Sequence, residues 1–478
     1  MIKVKLNNVK YQYEVYQIVS LYCSFVDIKF IYDEEADYDF EVIIDKETIK
    51  VSNKDLQSEY SINKDKNIKD EIKRAVYLFF KKVTGKLIPW GILVGIRPSK
   101  RALSMFKEGK DATDIIHTFT SESLTTVEKA QLCIDVARAE MEIVNKAKNV
   151  ISIYIGMPFC PTRCLYCSFT SNPIAGARKF VPAYLNALRK EIFSIKEYID
   201  SRDILIDSVY FGGGTPTSVE EDEFYDLMKD IHEAFIKNRK ISEFTVECGR
   251  PDSITENKLK TMRDFEVSRI SINPQTMNDD TLKKIGRSHT TKDVIEKFNL
   301  ARKVGFSNIN MDIIIGLPGE GKEHVKNTCK EILSLNPENL TVHGMCIKRA
   351  SKLHEDIINN NNFAIPDQEE LNQMYKASFE LAEELDMKPY YMYRQKNMVG
   401  NMENVGYAKK GKKGIYNIQM IEEKQTIIAL GADAVSKIVF HNENRIERFA
   451  NVKDVKEYTM RIDEMISGKI KFLEELFG

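Results

Sequence analysis

From residue 150 onward, six short runs rich in β-branched residues alternate with longer stretches whose apolar residues recur at helical spacing. The runs are 151–156 (ISIYIG), 205–211 (LIDSVYF), 243–247 (EFTVE), 268–273 (SRISIN), 308–315 (NINMDIII) and 339–345 (NLTVHGM). The helical stretches between them cover 180–200, 219–237, 255–265, 290–304 and 321–335. Such alternation is typical of βα units that build a parallel sheet. The sequence therefore predicts an α/β fold, a partial (β/α)6, TIM-like barrel.

The regions on either side of this barrel have other patterns. Residues 1–148 combine a strand pattern at 40–52 with helical stretches near 66–82 and 125–147, which predicts a separate α+β domain of unknown role. The barrel is expected over 149–358. A run of asparagines then gives a loop signal, followed by a predicted helix at 367–385. The mixed C-terminal region, 359–478, is expected to cover the substrate.

Charge and cysteine content exclude several classes of protein. The 70 lysines and arginines nearly balance the 71 acidic residues, so no strong field favours a nucleic acid or an anionic membrane. The N-terminus lacks the apolar core of a signal peptide, and no stretch approaches the ~18 apolar residues of a membrane span. Five of the eight cysteines are scattered without the spacing of a disulfide framework. We expect a cytoplasmic protein with reduced thiols, no membrane span and no nucleic-acid partner.

The other three cysteines, Cys160, Cys164 and Cys167, lie close together with C-x3-C-x2-C spacing. Iron–sulfur clusters are usually held by four thiolates, so three would leave one iron of a [4Fe–4S] cluster open to an outside ligand. The alternatives are a zinc knuckle or three structural thiols. Zinc sites tend to come as two separated pairs of ligands, and no second Cys or His pair follows. The spacing therefore favours a cluster whose open iron is a reaction site.

Further polar and glycine residues fall at the carboxyl ends of the predicted strands, where parallel barrels gather their functional groups. They are Gly212, Gly213, Gly214 and Thr215 after the second strand, Glu247 after the third, Gln275 and Arg287 after the fourth, and Asp312 in the fifth. A tight turn or a solvated charge would explain each of them separately. Together they offer close backbone approach, acceptors for an ammonium group and hydroxyls, and a cation for a carboxylate. A zwitterionic, ribose-bearing molecule would use all of these groups, and it could also complete the open iron.

The chain resembles the radical S-adenosylmethionine (SAM) enzymes in its cysteine loop, its Gly-Gly-Gly-Thr-Pro segment and its barrel layout. Within that superfamily, YIGMPFC (154–160), RISINPQTMNDDTLKKIGRSH (269–289) and MDIIIGLPGE (311–320) resemble the oxygen-independent coproporphyrinogen III oxidase family. The segments WGILVGIRPSK (90–100), VHGMCIKRASKL (342–353) and YYMYRQKNMVGNMENVGYA (390–408) are similar to the HemZ-type coproporphyrinogen dehydrogenases. The resemblance implies a barrel of the radical SAM type.

The resemblance also implies a set of site residues. Cys160, Cys164 and Cys167 would hold a [4Fe–4S] cluster, and SAM would bind its open iron. The implied SAM contacts are Tyr154, Tyr166, Gly213, Gly214, Thr215, Glu247, Gln275, Arg287, Asp312 and, through its main chain, Cys346. One position departs from the family pattern: Gly156 stands where the family usually has a histidine, four residues before the first cluster cysteine. Glycine has no side chain with which to hydrogen-bond near the cluster.

The implied activity is oxidative decarboxylation of coproporphyrinogen III to protoporphyrinogen IX in haem biosynthesis, with electrons from a donor such as flavodoxin or ferredoxin. Two alternatives on the same scaffold are a haem-binding chaperone and a radical SAM methyltransferase that degrades haem anaerobically. Lys348, Arg349 and Arg394 are candidates for binding the propionates, with solvated surface charge as the alternative. Tyrosines 390, 391 and 393 are candidates for flanking the macrocycle, with core packing as the alternative.

Overall fold

The chain forms two compact units in a computed structural model. The structure describes residues 1–478 apart from 24–27, 34–36, 96, 145–146, 168, 170, 348–350, 352, 354, 356–365 and 396–397. The first unit comprises residues 1–135, 367–373 and 394–403, and the second comprises 136–366, 374–393 and 404–478. The three-domain division at residues 148 and 358 stays a prediction.

The first unit contains a five-stranded mixed sheet with the order β2-β1-β3-β4-β5. Its strands are β1 (Ile2–Leu6), β2 (Ile28–Ile31), β3 (Phe40–Ile44), β4 (Thr48–Ser52) and β5 (Gln57–Ser61). Its helices are α1 (Gln12–Tyr22), α2 (Ile68–Thr84), α3 (Pro98–Lys107) and α4 (Ala112–Glu122), and α5 (Val127–Ile143) begins in this unit. Buried residues of α1 and α2 pack on the sheet, where Val4, Val42 and Val51 are buried. Period-2 burial on β4 and helical spacing on α2 explain this two-layer core.

The second unit is built on one eleven-stranded sheet with the order β14-β15-β13-β12-β11-β10-β9-β6-β16-β17-β18. Six neighbouring strands are parallel: β6 (Val150–Met157), β9 (Leu205–Gly213), β10 (Glu243–Glu247), β11 (Arg269–Ser271), β12 (Ile309–Ile315) and β13 (Asn339–Gly344). They coincide with the six strands expected from the sequence, so the predicted α/β barrel strands are confirmed. Their near-continuous burial is what a parallel sheet covered on both faces requires.

Helices connect these parallel strands, and five of them correspond to the predicted helical stretches. They are α6 (Ile174–Ala177), α7 (Val181–Ser201), α8 (Glu221–Ile231), α9 (Glu256–Asp264), α10 (Asp279–Lys284), α11 (Thr291–Val304) and α12 (Lys322–Leu335). The short α10 was not expected, and α8 ends at Ile231 with a π-helical turn replacing the rest of the predicted helix.

The C-terminal region continues the same sheet. Its elements are α13 (Gln368–Glu384), β14 (Lys388–Tyr393), β15 (Asn404–Ala408), α14 (Ile415–Glu422), β16 (Thr426–Leu430), β17 (Val435–Phe440), β18 (Arg445–Ala450), α15 (Val455–Met460) and α16 (Ile462–Phe477). Strand β16 pairs parallel to β6. At the opposite edge, β15 pairs antiparallel to β13, and β14 pairs antiparallel to β15. The sequence did not predict the seventh parallel strand, β16. The expected role of this region in covering a substrate stays a prediction.

A buried ion pair fixes the last helix to the barrel. Lys469 of α16 donates to Glu191 of α7 at 2.5 Å, and both side chains are fully buried. Glu191 also accepts from Tyr458 Oη (2.6 Å), Asn451 Nδ2 (2.9 Å) and the Gly431 amide (2.8 Å). Its carboxylate is thus fully hydrogen-bonded, as a buried charge requires. Among the described residues, no helix is both long and apolar enough to span a bilayer.

Candidate functional site

The cysteine loop follows the carboxyl end of β6. It is closed at its base by two short parallel strands, β7 (Phe159–Cys160) and β8 (Asn172–Pro173). Within the loop the Cys167 amide donates to Cys164 O at 3.1 Å. The loop rests on the segment after α10, where the Leu165 amide donates to Ile285 O at 2.9 Å and Thr162 Oγ1 donates to Gly286 O at 2.9 Å. Residues 168 and 170 of the loop lie outside the described residues.

All three loop cysteines are half-buried free thiols. Burial raises the pKa of the Cys160 thiol to about 11, although a hydrogen bond from Thr215 opposes that rise. Binding to iron would therefore have to remove its proton. Among the described residues, no three His, Cys, Asp or Glu side chains converge as ligands of a single metal ion. Each thiolate of a [4Fe–4S] cluster binds a different iron, so a cluster does not require such convergence.

The glycine segment at the end of β9 packs directly against this loop. The Gly214 amide donates to Met157 O at 2.6 Å, and the Thr215 amide donates to Phe159 O at 2.8 Å. A Cβ atom on Gly214 would lie 2.6 Å from Phe159 O and 2.8 Å from Cys160 Sγ. Gly213 has a positive φ of 96°, which glycine adopts without strain. The glycine segment therefore approaches the cysteine loop closely, and its predicted contact with SAM stays a prediction.

Two carboxylates lie on the parallel strands, Glu247 at the end of β10 and Asp312 within β12. Glu247 accepts from Tyr210 Oη, from Ser271 Oγ at 2.7 Å and from Asn273 Nδ2 at 3.3 Å. Burial, with the nearby charge of Asp312, raises the pKa of Glu247.

Asp312 accepts from Asn310 Nδ2 at 2.7 Å and lies 3.5 Å from His343 Nε2. Burial is the largest influence and would raise the pKa of Asp312, but its interactions with His343, Asn310 and Thr341 together outweigh burial and lower that pKa. The interaction with Asp312 raises the pKa of His343 against the effect of burial. Asp312 is therefore held in its ionised form.

Gln275 and Arg287 bring polar atoms that lack partners among the described residues. Gln275, at a positive φ of 67°, exchanges backbone hydrogen bonds with Asp312 and Ile314, both at 2.9 Å, and its buried Oε1 accepts no hydrogen bond. Arg287 donates from one terminal nitrogen to Asn273 O at 2.6 Å and lies against Tyr166 and Cys164, while its Nε has no acceptor. A buried orphan donor and acceptor are costly unless a ligand satisfies them.

The predicted aromatic contacts lie in the same unit. Tyr154 stacks with Tyr210 and Tyr416 at centroid distances of 6.3 and 6.2 Å, and burial raises its pKa. Tyr166 is in the cysteine loop beside Arg287. Cys346 is half-buried just beyond β13. The structure thus places every SAM contact predicted from the sequence in the second unit, at or beyond the barrel strands.

The propionate and macrocycle candidates have different outcomes. Lys348 and Arg349 lie outside the described residues. Arg394 belongs to the first unit, where its guanidinium lies 4.9 Å from the Trp90 ring and donates to Leu93 O and Asn401 O. Tyr390 and Tyr391 join a buried apolar cluster, as the core-packing alternative predicted, and Tyr393 is half-buried.

Sequence reasoning missed three side chains that contact the site. Tyr210 hydrogen-bonds Glu247, His343 pairs with Asp312, and Arg250 reaches the cysteine loop. Alternation along one predicted strand could have placed Tyr210 on the face of Gly212. His343 and Asp312 lie on different strands, so placing them on one face also requires the register of β12 with β13. No signal in the sequence marks Arg250.

Comparison with known proteins gives three findings. Residues 154–332 match the model of the radical SAM superfamily. The chain is 40% identical over 415 residues to the oxygen-independent coproporphyrinogen-III oxidase-like protein HemZ of Bacillus subtilis strain 168, covering 86% of this chain and 82% of that protein. It is 31% identical to the heme chaperone HemW of the same organism over 66% of this chain and 76% of that protein.

A solved structure agrees at the level of fold. The coproporphyrinogen III oxidase HemN from Escherichia coli, a radical SAM enzyme, superimposes with a TM-score of 0.51 at 20% identity, covering 71% of this chain and 73% of that chain.

Proposed function

The chain belongs to the radical SAM superfamily and, within it, to the family of the HemZ oxidase-like protein, and on that premise we propose that it converts coproporphyrinogen III to protoporphyrinogen IX without oxygen. The observation that carries the proposal is Arg287, which lies against Cys164 of the three-cysteine loop and whose buried Nε has no acceptor among the described residues. The superfamily uses a [4Fe–4S] cluster and SAM. The substrate is inferred from the 40% identity to the oxidase-like relative.

The residues present fit both cofactors. Three thiols on one loop, with no fourth cysteine close in sequence, leave the open iron that an amino acid can chelate. Arg287 would bind the SAM carboxylate through its free Nε, and Gln275 Oε1 would accept from a SAM donor group. Glu247 and the ionised Asp312 offer acceptors for hydroxyls.

When bound, the cluster and SAM supply one electron and a 5′-deoxyadenosyl radical able to abstract hydrogen. Conversion of each of two propionates of coproporphyrinogen III to a vinyl group would remove one hydrogen atom, one electron and carbon dioxide. The hydrogen atom would be taken up by the radical chemistry that the cofactors supply, and the electron would pass to an acceptor.

The chain's own residues would orient the reactants and exclude water. The stacked rings of Tyr154, Tyr210 and Tyr416 form an apolar wall in which Tyr210 holds Glu247 by a hydrogen bond. Lys348 and Arg349 are the candidates from the sequence for binding the propionates. A low-potential electron donor and a cytoplasmic location complete the proposal.

The test is an anaerobic assay. The reconstituted protein receives dithionite, SAM and coproporphyrinogen III, and mass spectrometry follows 5′-deoxyadenosine and protoporphyrinogen IX. We expect both products, with one deoxyadenosine for each vinyl group formed, and neither product from the Cys164→Ala variant. Deoxyadenosine without any change in the porphyrinogen would refute this substrate while retaining the radical chemistry.

The 31% identity to a protein named as a heme chaperone supports a second candidate function, haem binding. It predicts tight haem binding by the same protein and no turnover of porphyrinogen. A haem titration followed by absorbance, run beside the assay above, separates the two functions.

A further inference from the structure

Arg250 is a buried cation that contacts the cysteine loop from the segment after β10. It lies three residues beyond the end of β10, and only 3% of its surface is exposed. One terminal nitrogen donates to Thr162 Oγ1 at 3.0 Å and lies 3.7 Å from Cys164 Sγ. Its Nε and other terminal nitrogen pair with the two carboxylate oxygens of Asp252 at 3.0 and 2.8 Å. The Asp252 pair thus fixes the guanidinium and directs one edge at a cluster cysteine.

We propose that Arg250 is a positioning residue that raises the reduction potential of the cluster through Cys164. Uptake of an electron adds one negative charge to a cluster and its thiolates, and hydrogen bonds to sulfur and nearby net charge set the potential. An N–H donor and a full positive charge beside Cys164 Sγ stabilise the reduced form more than the oxidised form.

Arg250 is distinct from the residues that would hold SAM. Arg287 also lies against Cys164, but its other contacts are Tyr166 and Asn273 O, and its free Nε is available to a ligand. Arg250 directs its nitrogens at Asp252, Thr162, Cys164 and, at 3.5 Å, Ser288. Its guanidinium therefore contacts residues in and around the cysteine loop and is not available to bind SAM. Gly156 has no side chain to donate a hydrogen bond, and Arg250 supplies a side-chain donor to the loop.

Asp252 opposes part of this effect because its carboxylate lies on the far side of the same guanidinium. The two residues therefore make predictions of opposite sign. Arg250→Gln removes the cation and should lower the potential, whereas Asp252→Asn removes the anion and should raise it. A loop that had merely loosened would not shift the potential in opposite directions in the two variants.

The experiment is a redox titration of the reconstituted protein, without SAM or porphyrinogen, followed by the electron paramagnetic resonance signal of the reduced cluster. We expect the ratio of reduced to oxidised cluster at a fixed potential to fall about tenfold in Arg250→Gln, equivalent to about 59 mV for a one-electron couple. It should rise in Asp252→Asn and fall by less in Arg250→Lys, which keeps the charge.

The matched control is Arg302→Gln. Arg302 also makes a two-bond pair, with Glu338 at 2.8 and 2.9 Å, but at the amino end of β12, opposite the end that carries the cysteine loop. The reduction potential of the cluster in Arg302→Gln should equal that of the wild type. Unchanged potentials in the Arg250 and Asp252 variants, or shifts of the same sign, would overturn the inference. If Arg250→Gln does not retain iron, the reduction potentials of Asp252→Asn and Arg250→Lys test the inference in its place.

This inference rests on the cluster of the proposed function and not on its substrate. A protein that shows the expected shifts but leaves coproporphyrinogen III unchanged would retain the role of Arg250 and refute only the proposed substrate.

Discussion

Replacing Gly214 by alanine tests the close packing of the glycine segment against the cysteine loop. Gly214 has no positive φ, so its backbone accepts alanine, and only space decides the outcome. The added Cβ would lie 2.6 Å from Phe159 O and 2.8 Å from Cys160 Sγ. Because non-bonded atoms sit about 3.5–4.0 Å apart, the loop would have to move by about 1 Å. That movement displaces a cluster cysteine.

Two consequences follow for Gly214→Ala. Overpacking should destabilise the protein by about 1–3 kcal/mol. A misplacement of about 1 Å in a reacting group costs about 100-fold in rate, so SAM cleavage should slow by about that factor. The measurements are iron and sulfide content, the thermal midpoint, and the rate of 5′-deoxyadenosine formation under anaerobic conditions with dithionite.

Gly176→Ala is the matched control for this variant. Gly176 is exposed in α6, near the same loop in sequence, and no described atom lies within 4 Å of where its Cβ would be. Alanine in a helix is neutral or stabilising by up to about 1 kcal/mol. If Gly214→Ala binds iron and cleaves SAM at the rate of Gly176→Ala, the contact between the glycine segment and the cysteine loop is not a constraint on the site.

Three further perturbations follow from the same structure. Lys469→Met leaves Glu191 as a buried unpaired charge and should destabilise the protein by about 3–5 kcal/mol in denaturant unfolding, whereas Lys469→Met with Glu191→Gln should recover part of that loss. Arg287→Gln should weaken SAM binding with iron content unchanged, and wild-type affinity in a binding titration would contradict its carboxylate role. His343→Asn removes the largest of the interactions that lower the pKa of Asp312, so that pKa should rise and SAM affinity should be lost at a higher pH as the solution is acidified. An unchanged pH profile would exclude this coupling.

The barrel could be predicted from the sequence because its signals are local. Each parallel strand is a short apolar run bounded by polar residues, and each long helix has an apolar face of its own. Strand β16 was missed because TIIAL resembles any buried apolar segment, and its place beside β6 depends on a pairing more than 270 residues away in sequence. The six-residue α10 is too short to show a helical period.

Part of the candidate site could likewise be predicted from local sequence motifs, and part of it depends on contacts between residues far apart in sequence. The three cysteines and the glycine segment are contiguous motifs, so their chemistry is readable before any fold is known. Arg250 is different, because a single arginine after a strand is most often a solvated charge. Its position against Cys164 arises only when β10 is placed two strands away from β6, so that the segments after both strands meet at the carboxyl ends of the sheet. A residue can change the reduction potential of a cluster without binding it, and this requires only that the residue lie close to a cysteine sulfur. Such a residue leaves no spacing pattern along the chain, so it can be found only once the sheet is assembled.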